Sequence, residues 1–210
     1  MIEIVPVIRL TNQDDALRKI RVCSDTLKRI VIQVHSTQKL THILNELSRA
    51  KKAEHQRIKV TAMLSDANPL LITPYLHDDS PIDTVYFDYE VLGNAQNVDA
   101  TIEVLNRHAY VGMCIAKETP ARVAFSRLNK LSHIILHMPK DNASIHAQLS
   151  KSLQIKTLKK EIKISVLGNM TPLHAQMIRK YPIDEVLCTN MFADGDFHGN
   201  LMQMKRTFYN

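Results

Sequence analysis

A chain of 210 residues, 45% hydrophobic and 23% charged, has the size and balance of a globular protein with a sizeable core, in one large domain or two small ones. Its net charge of +6 stands almost alone as an argument for nucleic acid, because aromatics are only 5%, tryptophan is absent and no zinc-finger or RNP-type pattern occurs. The basic residues (Arg18, Lys19, Arg21; Lys51, Lys52; Lys159, Lys160) are mixed with acids in the manner of a solvated face, so no nucleic-acid partner is expected.

No apolar run approaches the roughly twenty residues of a membrane span, and no membrane partner is expected. The opening MIEIVPVIRL reads as a first strand, not a signal peptide. Cys23, Cys114 and Cys188 are scattered without a CxxC pair. They are expected to be buried, reduced thiols, which favours a cytoplasmic location.

The elements follow in alternation. Ile2 to Ile8 is a β-branched strand, and Thr11 or Asn12 can cap a helix from about Gln13 to Lys28. Ile30 to His35 is the second strand. Leu40, Ile43, Leu44 and Leu47 then fall at helical spacing, in a helix ending among Lys51, Lys52 and His55. Ile58 to Leu64 is the third strand, Pro69 to Leu76 a helix or irregular segment, and Thr84 to Tyr89 the fourth strand. A helix with Val98, Ile102, Leu105 and the stem of Arg107 on one face leads to Val111–Ala116. A helix opened by Thr119-Pro120 leads to Ile134–Leu136. Strand, helix and strand within about thirty residues make a βαβ unit, whose strands must be parallel.

Ile145 to Leu158 is helical, Ile162 to Leu167 is strand seven, and Thr171 caps a helix to Lys180. Val186 to Cys188 lies in strand eight, and Leu201 to Phe208 is the last helix. The strands are continuous apolar runs, as expected when both faces are covered. Eight strand–helix pairs without a linker predict an α/β fold over residues 1–210, a single (β/α)8 TIM barrel, with a doubly wound open sheet as the rival.

Five stretches carry a resemblance to a known family. Gly112 to Pro120 (GMCIAKETP) resembles the fifth-strand motif G-x-x-[IL]-[KN]-P-x-T-P of ribulose-phosphate 3-epimerases. Ile164 to Pro172 (ISVLGNMTP) is similar to their seventh-strand I-x-V-D-G-G-[IV]-x-P, and Leu187 to Phe192 (LCTNMF) to their eighth-strand [VA]-A-G-[ST]-x-[IVL]-[FY]. Val5 to Leu10 (VPVIRL) corresponds to the opening A-P-S-[IL]-L, and Lys59 to Leu76 followed by Ile82 to Glu90 to strands three and four and their spacer. The resemblance implies a TIM barrel of the ribulose-phosphate-binding type, a phosphate-binding barrel that epimerises a ketose phosphate with a divalent metal and two aspartates on opposite faces of the substrate. It also implies a phosphosugar ligand and a homodimer.

Carried over residue by residue, most of that chemistry is missing. The four metal positions read Gln33, His35, Ala62 (or Thr61 in a neighbouring register) and Leu167, and alanine and leucine cannot ligate a cation. No metal site is therefore assigned, and no cofactor is expected beyond the divalent metal that the resemblance alone implies. The glycine-rich loop after strand six is Pro139 to Ser144 here. What remains are polar residues at strand ends, where barrels place their sites. His35, Asp88 and His137 are the candidates for acid–base or metal chemistry, the alternative being hydrogen-bonding groups that line a wet barrel mouth. Gln33, Lys117, Gly168, Asn169, Thr189 and Asn190 are the candidates for substrate and phosphate binding. The Asp194-Gly195-Asp196 triplet reads as a surface turn before the last helix.

Overall fold

A computed structural model describes residues 2–24, 26–35, 40–45, 59–139 and 141–209. Its strands are β1 (Glu3–Arg9), β2 (Arg29–Val34), β3 (Lys59–Leu64), β4 (Ile82–Asp88), β5 (Tyr110–Ile115), β6 (His133–His137), β7 (Lys163–Gly168) and β8 (Glu185–Cys188). They form a closed barrel in chain order, so the fold is the TIM barrel and the open-sheet rival fails. The helices are α1 (Gln13–Ser24), α2 (holding residues 40–45), α3 (Ala95–Leu105), α4 (Arg122–Phe125), α5 (Asn142–Leu158), α6 (Pro172–Ile178) and α7 (Phe197–Tyr209). Successive residues such as Ile30, Val31 and Ile32, or Ile134, Ile135 and Leu136, are all fully buried, which explains why these strands run apolar without alternation.

The chain divides into two compact units, Val7–Val111 and Met1–Pro6 with Gly112–Asn210. In the first, β2 and β3 pair in parallel from Arg29↔Lys59 to Val34↔Leu64, and β3 continues onto β4 with an irregularity between Val60 and Thr61. Asn94 caps α3 by accepting the Asn97 amide, just after Gly93 turns the chain at a φ of +72°. The buried face of α3 is Val98, Thr101, Ile102 and Leu105, the spacing of an amphipathic helix.

In the second unit, β6, β7 and β8 pair in parallel, with Leu136↔Val166, His137↔Leu167 and Leu167↔Leu187. The long helix α5 is capped by Asp141 and locks the end of β5 from behind. Gln148 donates to the Ile115 carbonyl, and the buried Lys151 ammonium donates to the carbonyls of Ala116, Lys117 and Thr119 at 2.7–2.9 Å.

Several expected boundaries move. Helix α1 stops at Ser24, four residues short of Lys28, and β4 starts earlier, at Ile82, and ends at Asp88. Pro69–Tyr75 is a 3-10 helix, with Asn68 accepting the Leu70 amide. Thr119-Pro120 does not open a helix. Lys151 holds the Thr119 carbonyl, no side chain caps Ala121, and only the single turn Arg122–Phe125 is helical. Arg107 lies beyond the end of α3 and reaches back to Glu103 across 3.9 Å. The expected helix around Leu40 to Lys51 is helical over 40–45, and its remainder lies outside the described residues.

Candidate functional site

The predicted phosphate residues come together at the ends of β7 and β8. The Thr189 amide donates to the Gly168 carbonyl (3.1 Å), extending the parallel ladder past β8. Beyond it, the Thr189 hydroxyl donates to Asn169 Oδ1 at 2.6 Å. Asn190 grips the next residue of the other strand end, its Oδ1 accepting the Met170 amide and its Nδ2 donating to the Met170 carbonyl, both at 3.0 Å. The two loops are thus bolted to each other by neutral amides and a hydroxyl. Because Asn169 Oδ1 accepts from Thr189, its amide NH2 remains the donor end of that side chain.

Gly168 has a packing reason to be glycine: a Cβ there would sit 3.1 Å from Met138 Cβ. His174, in the first turn of α6, was not singled out from sequence. Its Nδ1 lies 3.0 Å from the Asn169 carbonyl, and a carbonyl only accepts, so Nδ1 carries a proton and Nε2 is the ring's other polar atom. The signal available was the capping pattern itself, since Thr171 caps α6 by accepting the His174 amide. Behind the two loops lies a cavity of about 220 Å³ bounded by Met170, Thr171, Asn190, Asp194, Asn200 and Gln203. The Asp194–Asp196 segment is a turn, with Gly195 at a φ of +73° and Asp196 accepting the Gly199 amide at 2.9 Å.

Lys117 is exposed after β5 and pairs with Asp141 at 3.0 Å. Asp141 also accepts the Ser144 amide at 2.8 Å, and these two bonds, the Ser144 one first, hold its carboxyl down at about 2. Lys117 therefore meets any ligand already neutralised. His137 ends β6, half-buried, beside the buried Leu167. Cys114 of β5 is in register with Ile135, so its thiol shares the face of His137, and their ligand atoms lie within 4.8 Å of one another.

The Val7–Val111 unit holds the other candidates. Gln33 Nε2 donates to Ser65 Oγ at 3.0 Å, and exposed His35 has Nδ1 4.0 Å from Asp66, a residue held at a φ of +61°. Gln33 is in register with Met63, so Ala62 points to the opposite face. The mapping of a ligand position onto Ala62 is thus corrected, the side chains that share the Gln33 face being Thr61, Met63 and Ser65. Asp88 ends β4, half-buried. Neither the Gln33–Ser65 nor the His35–Asp66 contact was expected, because nothing in the spacing of a strand end announces its loop.

A charged cluster that sequence reading passed over sits at the other end of β6–β8. Glu185 is 1% exposed and accepts from Ser165 Oγ at 2.8 Å and Lys163 Nζ at 3.3 Å. His133 Nε2 lies 3.6 Å from Glu185, and its Nδ1 is 2.8 Å from Ser132 Oγ. These residues begin their strands, the end of a barrel associated with stability.

Cys23, Cys114 and Cys188 are buried free thiols, and burial pushes Cys23 and Cys188 up to about 12. Among the described residues no helix is long and apolar enough to cross a membrane.

No family model matches the sequence, and no curated protein matches it. Solved structures do match over nearly the whole chain. The 3-keto-L-gulonate-6-phosphate decarboxylase of Vibrio cholerae superposes with a TM-score of 0.73 at 13% identity, covering 99% of this chain and 97% of that one. Orotidine 5'-phosphate decarboxylase from Pyrococcus horikoshii gives 0.69 at 13% identity, with 99% of each chain covered. A chain of the tryptophan synthase α2β2 complex from Pyrococcus furiosus gives 0.70 at 11% identity, covering 98% and 95%. At such identities the likeness is one of fold, and it places this chain among the TIM barrels.

Proposed function

We propose that this chain is a phosphosugar-binding (β/α)8 barrel whose β7 and β8 ends receive the phosphate, and that it does not run the metal-dependent, two-carboxylate epimerisation of the family it resembles. The observation that carries the reading is the frame of Gly168, Asn169, Thr189 and Asn190. It is neutral, cross-braced and free of carboxylate, and it stands after strands seven and eight, where TIM barrels commonly bind phosphate. Neutral dipoles fixed in advance hold an anion without having to reorganise. Asn169 NH2 and His174 are the groups we assign to the phosphate oxygens. Two of the structural neighbours are named for phosphate-bearing substrates, which supports the same ligand class.

The loss of epimerase chemistry rests on Leu167. Epimerisation needs an acid and a base on opposite faces, and a buried leucine supplies neither. His35, Asp88 and His137, each at or just past the C-terminal end of its own strand, are the groups we assign to any acid–base work that the barrel retains. A homodimer and a cytoplasmic setting belong to the same reading.

The test is thermal stabilisation and calorimetric binding with ribulose 5-phosphate, ribulose and inorganic phosphate. Stabilisation by the phosphosugar, little by the free sugar, and loss of the effect in Asn169→Asp are expected. Absence of binding by ribulose 5-phosphate and a panel of other sugar phosphates overturns the reading. Formation of xylulose 5-phosphate with zinc, iron(II) or manganese overturns its second half.

A further inference from the structure

We propose that Cys114 and His137 are two ligands of a thiophilic divalent cation of the zinc type, at a position the resemblance does not supply. The metal positions that the resemblance supplies lie on strands two, three and seven, Gln33, His35 and Leu167 among them, and none of them is Cys114 or His137. Neither residue belongs to the β7–β8 frame, so the proposal stands apart from the phosphate-binding reading, and it gives His137 a ligand's role in place of the acid–base one assigned above.

Three observations carry it. The first is distance: the Cys114 sulfur and a His137 ring nitrogen lie within 4.8 Å. Tetrahedral zinc, with a sulfur at about 2.3 Å and a nitrogen at about 2.0 Å, holds those two atoms roughly 3.6 Å apart, which a small side-chain rotation reaches. The second is placement. Cys114 is the penultimate residue of β5 and His137 the last of β6, so both come from rigid strands at the C-terminal end, where barrel chemistry sits. Register with Ile135 puts both side chains on one face of neighbouring strands.

The third observation is the surroundings. Cys114 is fully buried, and Ile135 and Leu167 on the same face are buried as well, while His137 is half-exposed and gives the pair its access to solvent. A thiolate and an imidazole in an apolar wall suit a borderline-soft cation, whereas magnesium or calcium would require oxygens. On binding, the Cys114 thiol loses its proton to solvent, the sulfur–metal bond forms, and the neutral imidazole donates its lone pair without any change of oxidation state. The coordination positions not filled by this pair are left to water or to an oxygen of a bound ligand, the arrangement of an open and not a structural site.

The experiment is titration of the reduced full-length protein with cobalt(II) and cadmium-113. The wild type is expected to show a sulfur-to-cobalt charge-transfer band and a cadmium resonance shifted in the manner of one thiolate with nitrogen and oxygen ligands. The band disappears in Cys114→Ser, persists in Cys23→Ser and Cys188→Ser, and requires about tenfold or more cation in His137→Gln. The wild-type cadmium spectrum needs no substitution, so it decides the matter even where a buried serine unfolds the barrel. A wild-type protein with no sulfur band and no thiolate-shifted cadmium signal overturns the proposal, as does a band that follows Cys23 or Cys188.

Discussion

The two ends of strands β7 and β8 are built from opposite materials. At their starts, the buried Glu185, Ser165 and His133 make an ionic cluster completed by the half-exposed Lys163. At their finish, Asn169, Thr189 and Asn190 make a frame with no formal charge. The buried charge of Glu185 is placed at the strand starts, the end of a barrel associated with stability. Neutral dipoles are placed where we put an anionic ligand, which an ionic cluster would either repel or have to be broken to admit. The difference teaches that a barrel's polar residues divide by the end of the strand they occupy, and that formal charge alone is a poor guide to the site.

The comparison is broken most severely at Glu185. Glu185→Ala leaves the Ser165 hydroxyl and the Lys163 ammonium without their shared acceptor. A loss of about 3 kcal/mol in urea unfolding is expected, at the low end for a broken buried pair because Lys163 is half in solvent. Glu185→Gln keeps an acceptor for Ser165 and should lose about half as much. Neither change should alter phosphosugar affinity in protein that remains folded. A similar loss of affinity in both would show that the two ends are not separate in function.

At the other end, Asn190→Ala removes two bonds to the Met170 backbone and should destabilise by about 1–3 kcal/mol while abolishing the response to phosphosugar. Asn190→Asp keeps the acceptor for the Met170 amide but adds a negative charge. It should lose more affinity than stability, and the reverse order would argue that Asn190 only braces the loops. Gly168→Ala is a smaller and more local perturbation, about 1 kcal/mol from the contact with Met138 Cβ at 3.1 Å. Because the crowding is with a Cβ, Met138→Ala does not relieve it, whereas Met138→Gly does.

How far these contrasts were legible in the sequence follows from which residues a one-dimensional pattern can join. The barrel was readable because apolar runs such as Ile30–Ile32 and Ile134–Leu136 recur with helical spacings between them, and a local period survives in one dimension. The β7–β8 frame was readable through the motif around Gly168. Its cross-bracing was not, because Asn190 reaches Met170 across twenty residues. Glu185 was invisible for the same reason: Ser165, Lys163 and His133 come to it from two other strands. Ala62 was misplaced because a slip of one residue in a strand reverses its face. Thr119-Pro120 misled because the signal for a helix start was present, while Lys151, more than thirty residues away, uses the Thr119 carbonyl.

The smallest expected effect tests how an exposed charge behaves beside the neutral frame. Asp141 is exposed, yet the Ser144 amide and then the Lys117 ammonium hold its carboxyl at about 2, below the ordinary 3.8. A depressed folded value means the stabilising contribution is complete above the unfolded value and fades as pH falls from near 3.8 through about 2. The melting temperature of the wild type minus that of Asp141→Asn should therefore shrink toward zero across that window and stay constant above it. The effect is small because solvent screens the Lys117 pair, and added salt should remove the Lys117 part while leaving the cap on Ser144. If the difference holds constant down to pH 2, Asp141 owes nothing to its charge. Lys117 would then be available to a ligand in full, and the neutral frame would no longer be the principal receiver of phosphate in this unit.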